Sequence, residues 1–127
     1  MIVIDASAAI LGLLNDGEAR SILREGAVAC PHLADSEVAH ALRSQVLRGT
    51  LGAEDAGRAI DVWRRLGIER IGVSGLLPRI WELRENVSAY DATYVAVAEA
   101  LDAPLVTADG RLAQAPGPRC PITVVPR

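Results

Sequence analysis

A chain of 127 residues, half of them hydrophobic and 23% charged, is long enough for one buried core and too apolar to stay disordered. No apolar run approaches the ~18 residues of a membrane span, and the opening Met-Ile-Val-Ile-Asp-Ala-Ser lacks the basic stretch of a secretory leader, so a single cytoplasmic domain is expected. The net charge of −3 argues against nucleic-acid binding by bulk charge alone, and with 13 Arg and no Lys every mechanism that needs a lysine is excluded.

Met1 to Ile4 is a short continuous apolar run, the pattern of a central parallel strand. Asp5-Ala6-Ser7 follows, then a helix to Leu14 and a turn at Asn15-Asp16-Gly17. A second short helix covers Glu18 to Arg24, and Ala27 to Cys30 is the second strand. Pro31 breaks the chain before a helix from Leu33 to Arg48, with Glu37 in its first turns. Another helix spans Glu54 to Leu66 and stops at Gly67. Ile68 to Val73 is the third strand, and Leu76 to Glu85 a helix with Pro78 in its first turn. The stretch from Ser88 to Asp109 packs the most into the fewest residues. Its apolar positions Tyr90, Tyr94, Val95, Val97, Ala98 and Leu101 trace a helix, Pro104 ends it, and Leu105-Val106 is a buried strand. A short turn at Arg111 to Ala113 and a last strand from Ile122 to Val125 complete the chain. Short apolar strands alternating with helices predict an α/β fold, a parallel sheet with helices on both faces and its functional edge at the strand C-termini.

Four acids fall at that edge: Asp5 after the first strand, Asp109 after the fourth, Asp91 at the start of the helix before it, and Glu37 opening the helix after the second. Each has a simple explanation by itself. Ser88-x-x-Asp91 fits a capping box, Asp5 and Asp109 fit helix or turn caps, and Glu37 suits a helix dipole. Their convergence is harder to explain by capping. At ~5 Å and an effective dielectric of ~20 each ionised pair costs about 3 kcal/mol, so such a cluster protonates or binds a cation. Carboxylates without His or Cys favour a hard ion, Mg²⁺ or Mn²⁺, able to activate water and steady a phosphodiester leaving oxygen. Ser7 and Thr107 add hydroxyls around the acids.

The remaining candidates are weaker. Asp61, Glu82 and Glu99 read as solvated helix surface beside Arg neighbours. His32 and His40 read as structural or surface residues, although His40 follows Glu37 by one helical turn. Trp63 and Trp81 read as core or oligomer contacts, with base stacking the lesser reading. Arg43, Arg48 and Arg84 are the basic residues nearest in sequence to the acidic edge, and Arg43 and Arg84 are candidates for RNA phosphate. Cys30 and Cys120 each precede a proline without CxxC spacing, so they read as small apolar residues and not as zinc ligands.

The segments I-V-I-D-A-S, S-E-V, N-V-S-A-Y-D-A-T-Y-V-A-V-A-E and L-V-T-A-D-G-R-L resemble the PIN-domain ribonucleases of the VapC toxin type. The resemblance runs over essentially the whole chain, and the Y-D-A-x-Y and T-x-D pieces together carry most of its specificity. It implies a PIN-like three-layer α/β/α domain with a five-stranded parallel sheet in the order 3-2-1-4-5. It implies that Asp5, Glu37, Asp91 and Asp109 hold Mg²⁺ or Mn²⁺, with Asp5 and Asp91 central, and that a metal-activated water cleaves RNA such as tRNA or ribosomal RNA. A homodimer and a separate antitoxin chain that directs a side chain, often Arg, at the acidic pocket are implied as partners. That strand order sets the second and fifth strands three spacings apart, roughly 14 Å. A disulfide wants Cα atoms within ~7 Å, so Cys30 and Cys120 are expected to be unpaired.

Two other folds with acids at a parallel-sheet edge fail on residues. A phosphorelay receiver needs a lysine. A haloacid-dehalogenase-type phosphatase needs that lysine too, and a second aspartate where Ser7 stands. A catalytically silent PIN-like module that binds RNA or protein without cutting keeps the same fold and is separated from a nuclease by activity.

Overall fold

Ile2, Val3 and Ile4 carry no polar side chain, so the strand they form can be covered on both faces, and it occupies the middle of the sheet. A computed structural model describes residues 1–127. The strands are β1 (Ile2–Ile4), β2 (Val28–Pro31), β3 (Glu69–Ile71), β4 (Leu105–Thr107) and β5 (Ile122–Val124), all parallel, in the order β3-β2-β1-β4-β5. β1 pairs on one side with β2, Val3 opposite Ala29, and on the other with β4, Ile4 opposite Val106. This is the order expected from the family resemblance.

The helices are α1 (Ala6–Leu14), α2 (Glu18–Glu25), α3 (Leu33–Leu47), α4 (Ala53–Arg65), α5 (Leu77–Glu82), α6 (Ala89–Ala100) and α7 (Gly110–Gln114). The first four pack on one another. α5 packs against α6, which lies along β1, β2 and β4. Ala92 through Ala98 of α6 are buried without interruption, because alanines at Ala92, Ala96 and Ala98 let the helix approach closely while Val95 and Val97 fill the remaining space. α1 and α2 also meet closely. A Cβ added to Gly12 would stand 2.9 Å from the Ala19 carbonyl carbon and 2.8 Å from the Leu23 side chain.

Some boundaries differ from the sequence reading. The helix expected over Leu76 to Glu85 is a 3-10 turn, Ser74–Leu76, followed by α5. It ends early because the amides of Leu83 and Arg84 bond to carbonyls three residues back, on Ile80 and Trp81. β3 is shorter than Ile68 to Val73 because only Ala29 to Pro31 of β2 offer it partners. Pro31 lies inside β2, past the last pairing with β1 at Ala29, where no ladder bond needs its missing N–H. The turn at Arg111 to Ala113 is the short helix α7, capped by Asp109.

Glu99 is not solvated surface. Its carboxylate accepts from Arg79 Nε and Nη2 at 2.7 and 3.0 Å and from the Arg119 amide at 2.7 Å, and both side chains of the pair are under 20% exposed. It joins α5, α6 and the loop before β5, a role that periodicity could not reveal. Trp63 is buried in the core, as expected, and its indole N–H donates to Asp35, which Arg70 also holds at 2.7 Å. Trp81 is 67% exposed. Cys30 is buried, Cys120 half-buried, and both are free thiols, as the sheet order requires. Burial pushes the Cys30 thiol up to about 11.

Candidate active site

The site is built where β1 and β4 end. The Asp5 amide still bonds to the Val106 carbonyl at 3.0 Å, so Asp5 begins as part of the sheet before the chain turns into α1. As the cap of α1 its Oδ1 accepts from the Ala8 amide at 3.0 Å and from the Ser7 hydroxyl at 2.7 Å. Its Oδ2 accepts from the Thr107 hydroxyl on β4. Ser7 Oγ in turn accepts from the Ala108 amide at 2.9 Å, and Thr107 Oγ1 from the Asp109 amide at 3.0 Å. Each hydroxyl has one hydrogen and gives it to Asp5, so the 3.2 Å between Ser7 Oγ and Thr107 Oγ1 is an approach and not a bond. The expected supporting part for Ser7 and Thr107 thus has a definite form: they fix both carboxylate oxygens of Asp5. Burial raises the Asp5 carboxyl above its ordinary value even though these bonds favour the charged form.

Asp91 enters from the first turn of α6. Ser88 is the cap, its hydroxyl accepting from the Asp91 amide at 3.1 Å. The backbone of Asp91 therefore serves the cap, and the Ser88 hydroxyl also favours the charged form of its carboxylate. Burial raises that carboxyl first, then the negative charges of Asp5 and Asp109, against a smaller downward pull from Ser88 and Arg111. Asp5 after β1 and Asp109 after β4 thus both act on Asp91 at the start of α6.

Asp109 and Glu37 are engaged elsewhere. Asp109 caps α7 through the Arg111 amide at 3.0 Å, and its two oxygens also accept from Arg111 Nε and Nη2 at 3.2 and 3.3 Å. These bonds hold its carboxyl below the usual carboxylate range. Glu37, on α3, accepts from the hydroxyl of Tyr94, a ring only 2% exposed, at 2.5 Å. Burial and Glu37 together push the Tyr94 phenol up, so it remains a donor. Because Asp91 and Tyr94 are three residues apart on α6, a single helical turn presents one acid and orients another.

The donor set is carboxylate and hydroxyl oxygen, the chemistry of a hard divalent cation. As they stand, no three Asp, Glu, His or Cys side chains are grouped to ligate one ion. Arg111 holds Asp109 and Tyr94 holds Glu37, so an ion shared with Asp109 would have to displace Arg111 from it. The capping expectation holds for Asp5 on α1 and Asp109 on α7, whereas at Asp91 a neighbour, Ser88, is the cap.

Of the other candidates, His32 and His40 are exposed, and His40 lines a groove of about 700 Å³ with Ser7, Glu37, Tyr90 and Arg127. Arg43 and Arg48 are exposed on and just past α3. Arg84 lies over the Trp81 ring, 4.8 Å from its centre, and donates to the Trp81 carbonyl, so it is held against the end of α5. The guanidinium bonded to one of the acids is that of Arg111, two residues after Asp109, and Arg127, which donates to the Ala108 carbonyl, also acts on Asp109. In the sequence Tyr94 is a core position of α6, and its three-residue spacing from Asp91 is the available signal of its contact with Glu37.

Residues 2–118 match the PIN domain family. Ribonuclease VapC9 of Mycobacterium tuberculosis is 57% identical over 127 residues, the whole of both chains. The chain belongs to the PIN-domain family, within its VapC ribonucleases. Ribonuclease VapC1 of the same organism is 44% identical over 97% of this chain and 96% of its own. Among solved structures this PIN domain is similar to PAE2754 from Pyrobaculum aerophilum, with a TM-score of 0.71 and 25% identity over 97% of this chain and 83% of that one. It also shares its fold with Mycobacterium tuberculosis VapC20, titled a sarcin-ricin loop cleaving toxin, with a TM-score of 0.66 and 20% identity over 90% and 94% of the two chains. No helix is long and apolar enough to cross a membrane.

Proposed function

We propose that this PIN domain is a divalent-metal-dependent endoribonuclease, the toxin of a toxin–antitoxin pair, acting on cellular RNA such as tRNA or ribosomal RNA in the cytoplasm. The observation that carries the reading is the convergence of three elements: Asp5 at the end of β1 is bonded across to Thr107 of β4, Asp109 follows that strand, and the charges of both raise the Asp91 carboxyl on α6. Arg111 offsets only part of that negative charge, which leaves the place suited to a further cation. Full-length identity of 57% to Ribonuclease VapC9 supports the same activity.

Asp5, Asp91 and Asp109, with Glu37, would hold Mg²⁺ or Mn²⁺, which when bound supplies an activated water and stabilises the departing oxygen of a phosphodiester. The chain's own residues do the rest. Ser7 and Thr107 keep Asp5 in one rotamer. Tyr94 occupies Glu37 Oε1 and leaves Oε2 to accept a proton from an attacking water. The groove running from Ser7 past Glu37 and His40 to Arg127 offers single-stranded RNA a path, with the Tyr90 ring exposed along it. A second copy of the chain and an antitoxin chain complete the proposed assembly.

The test is direct. Asp5→Ala and Asp91→Ala should lose RNA cleavage in Mg²⁺ by a factor of about 10² or more, the scale on which a metal site's own ligands matter. Both should keep the far-UV circular dichroism of the parent. Cleavage at the parent rate by either variant would remove the assignment. RNA binding without any cleavage by the parent would favour the silent binding module.

A further inference from the structure

We propose that Arg111 is the resident counter-cation of the acid cluster and becomes the ligand of an RNA phosphate once a divalent ion takes Asp109 from it. The inference rests on the ribonuclease reading and deepens it by assigning the substrate contact.

A chain of net charge −3 must admit a polyanion to a site lined with acids. Several arginines are committed elsewhere: Arg79 to Glu99, Arg70 to Asp35, and Arg84 to Trp81. Arg111 is different. Its guanidinium lies fork-on-fork against Asp109, Nε to Oδ1 and Nη2 to Oδ2, yet its side chain is 92% exposed. Its charge also reaches Asp91. The Asp109 side chain is 32% exposed, and an ion pair whose arginine stands in solvent is weakly held and readily exchanged. The same planar fork that fits a carboxylate fits a phosphate. The position of the residue does not depend on the exchange, because its backbone N–H remains on Asp109 Oδ1 as the cap of α7. Around it is an open groove of about 600 Å³ formed by Asn86, Gly110, Gln114 and Ala115, in which Asp109 is the sole carboxylate. A guanidinium that leaves Asp109 therefore moves into space free of other acids, beside the ion that displaced it.

The two halves of the proposal predict effects of opposite sign for Arg111→Gln in the full-length protein. Without its competitor, Mn²⁺ should bind about two- to fivefold more tightly, the range an exposed ion pair commands, as read by calorimetry or electron paramagnetic resonance. Binding of a short fluorescent single-stranded RNA of mixed sequence, measured in Ca²⁺ with the RNA shown to be intact, should weaken. The slope of log affinity against log salt should become shallower by about 0.7, one lost phosphate contact. Arg111→Lys should retain most of that slope. The far-UV circular dichroism of Arg111→Gln should match that of the parent. Unchanged or weaker Mn²⁺ binding, or an unchanged salt slope, overturns the inference. If the parent binds Mn²⁺ and cuts RNA while Arg111→Gln matches it in both measurements, this inference alone fails. If the parent binds no Mn²⁺, the metal reading fails and this one with it.

Discussion

Tyr94 shows how a residue outside the acid set governs one inside it. Its hydroxyl is buried and has Glu37 as its partner, so Tyr94→Phe leaves a half-buried carboxylate oxygen without its donor. The expected result is a stability loss of about 0.5–1.5 kcal/mol by chemical denaturation. Under the nuclease reading kcat should fall about tenfold or more with KM little changed, because a freed Glu37 still sits in the site but in more than one rotamer. A variant with full kcat would remove Glu37 from the chemistry. Asp91 gives a prediction of another kind. Its folded carboxyl is raised above the ordinary 3.8. The folded chain therefore holds that proton to higher pH than the unfolded chain does. No penalty exists below 3.8, and stability falls as pH rises through the folded value, so at pH 7 the charged group opposes folding in full. Asp91→Asn should melt higher than the parent at pH 7, and the difference should vanish as pH is taken below 3.8. A variant that melts lower at pH 7 would contradict burial and like charge as the source of the shift.

At the scale of elements, the strands were legible because three or four consecutive apolar residues between turn signals leave little alternative, and the caps because Ser88, Asp5 and Asp109 sit where helices begin. Ends were less legible. The close of α5 depends on which carbonyls its last amides choose, and the length of β3 on how much of β2 faces it; neither is a property of the segment itself. Contacts between elements were hidden for the same reason. Glu99 looks like any surface acid on α6 until α5 brings Arg79 against it, and Arg111 looks like any surface base until α7 turns it back onto Asp109. The four acids were legible from their places at strand ends and helix starts, whereas their engagements with Tyr94, Arg111, Ser7 and Thr107 were not. The α1–α2 contact gives an element-scale prediction. Gly12→Val places carbon within 3 Å of Ala19 and Leu23 and should destabilise by about 1–3 kcal/mol through overpacking, read as a lower denaturation midpoint. RNA cleavage per folded molecule should be unchanged, since α2 contributes no acid. A variant as stable as the parent would show that the two helices can separate freely.

Across the whole molecule, the acids come from both ends of the chain: Asp5 and Glu37 from the first third, Asp91 and Asp109 from the last. β1 stands between β2, which follows it closely, and β4, which is made about a hundred residues later. A chain still emerging from the ribosome can pair β1 on one side only. Until Thr107 arrives, Asp5 lacks a donor to Oδ2, and two of its acidic companions do not yet exist. The sheet order thus works as a timer: the cleft cannot form before β4 has been made, so under the nuclease reading a chain that has not yet reached Thr107 would carry no cutting centre able to attack the message or ribosome producing it.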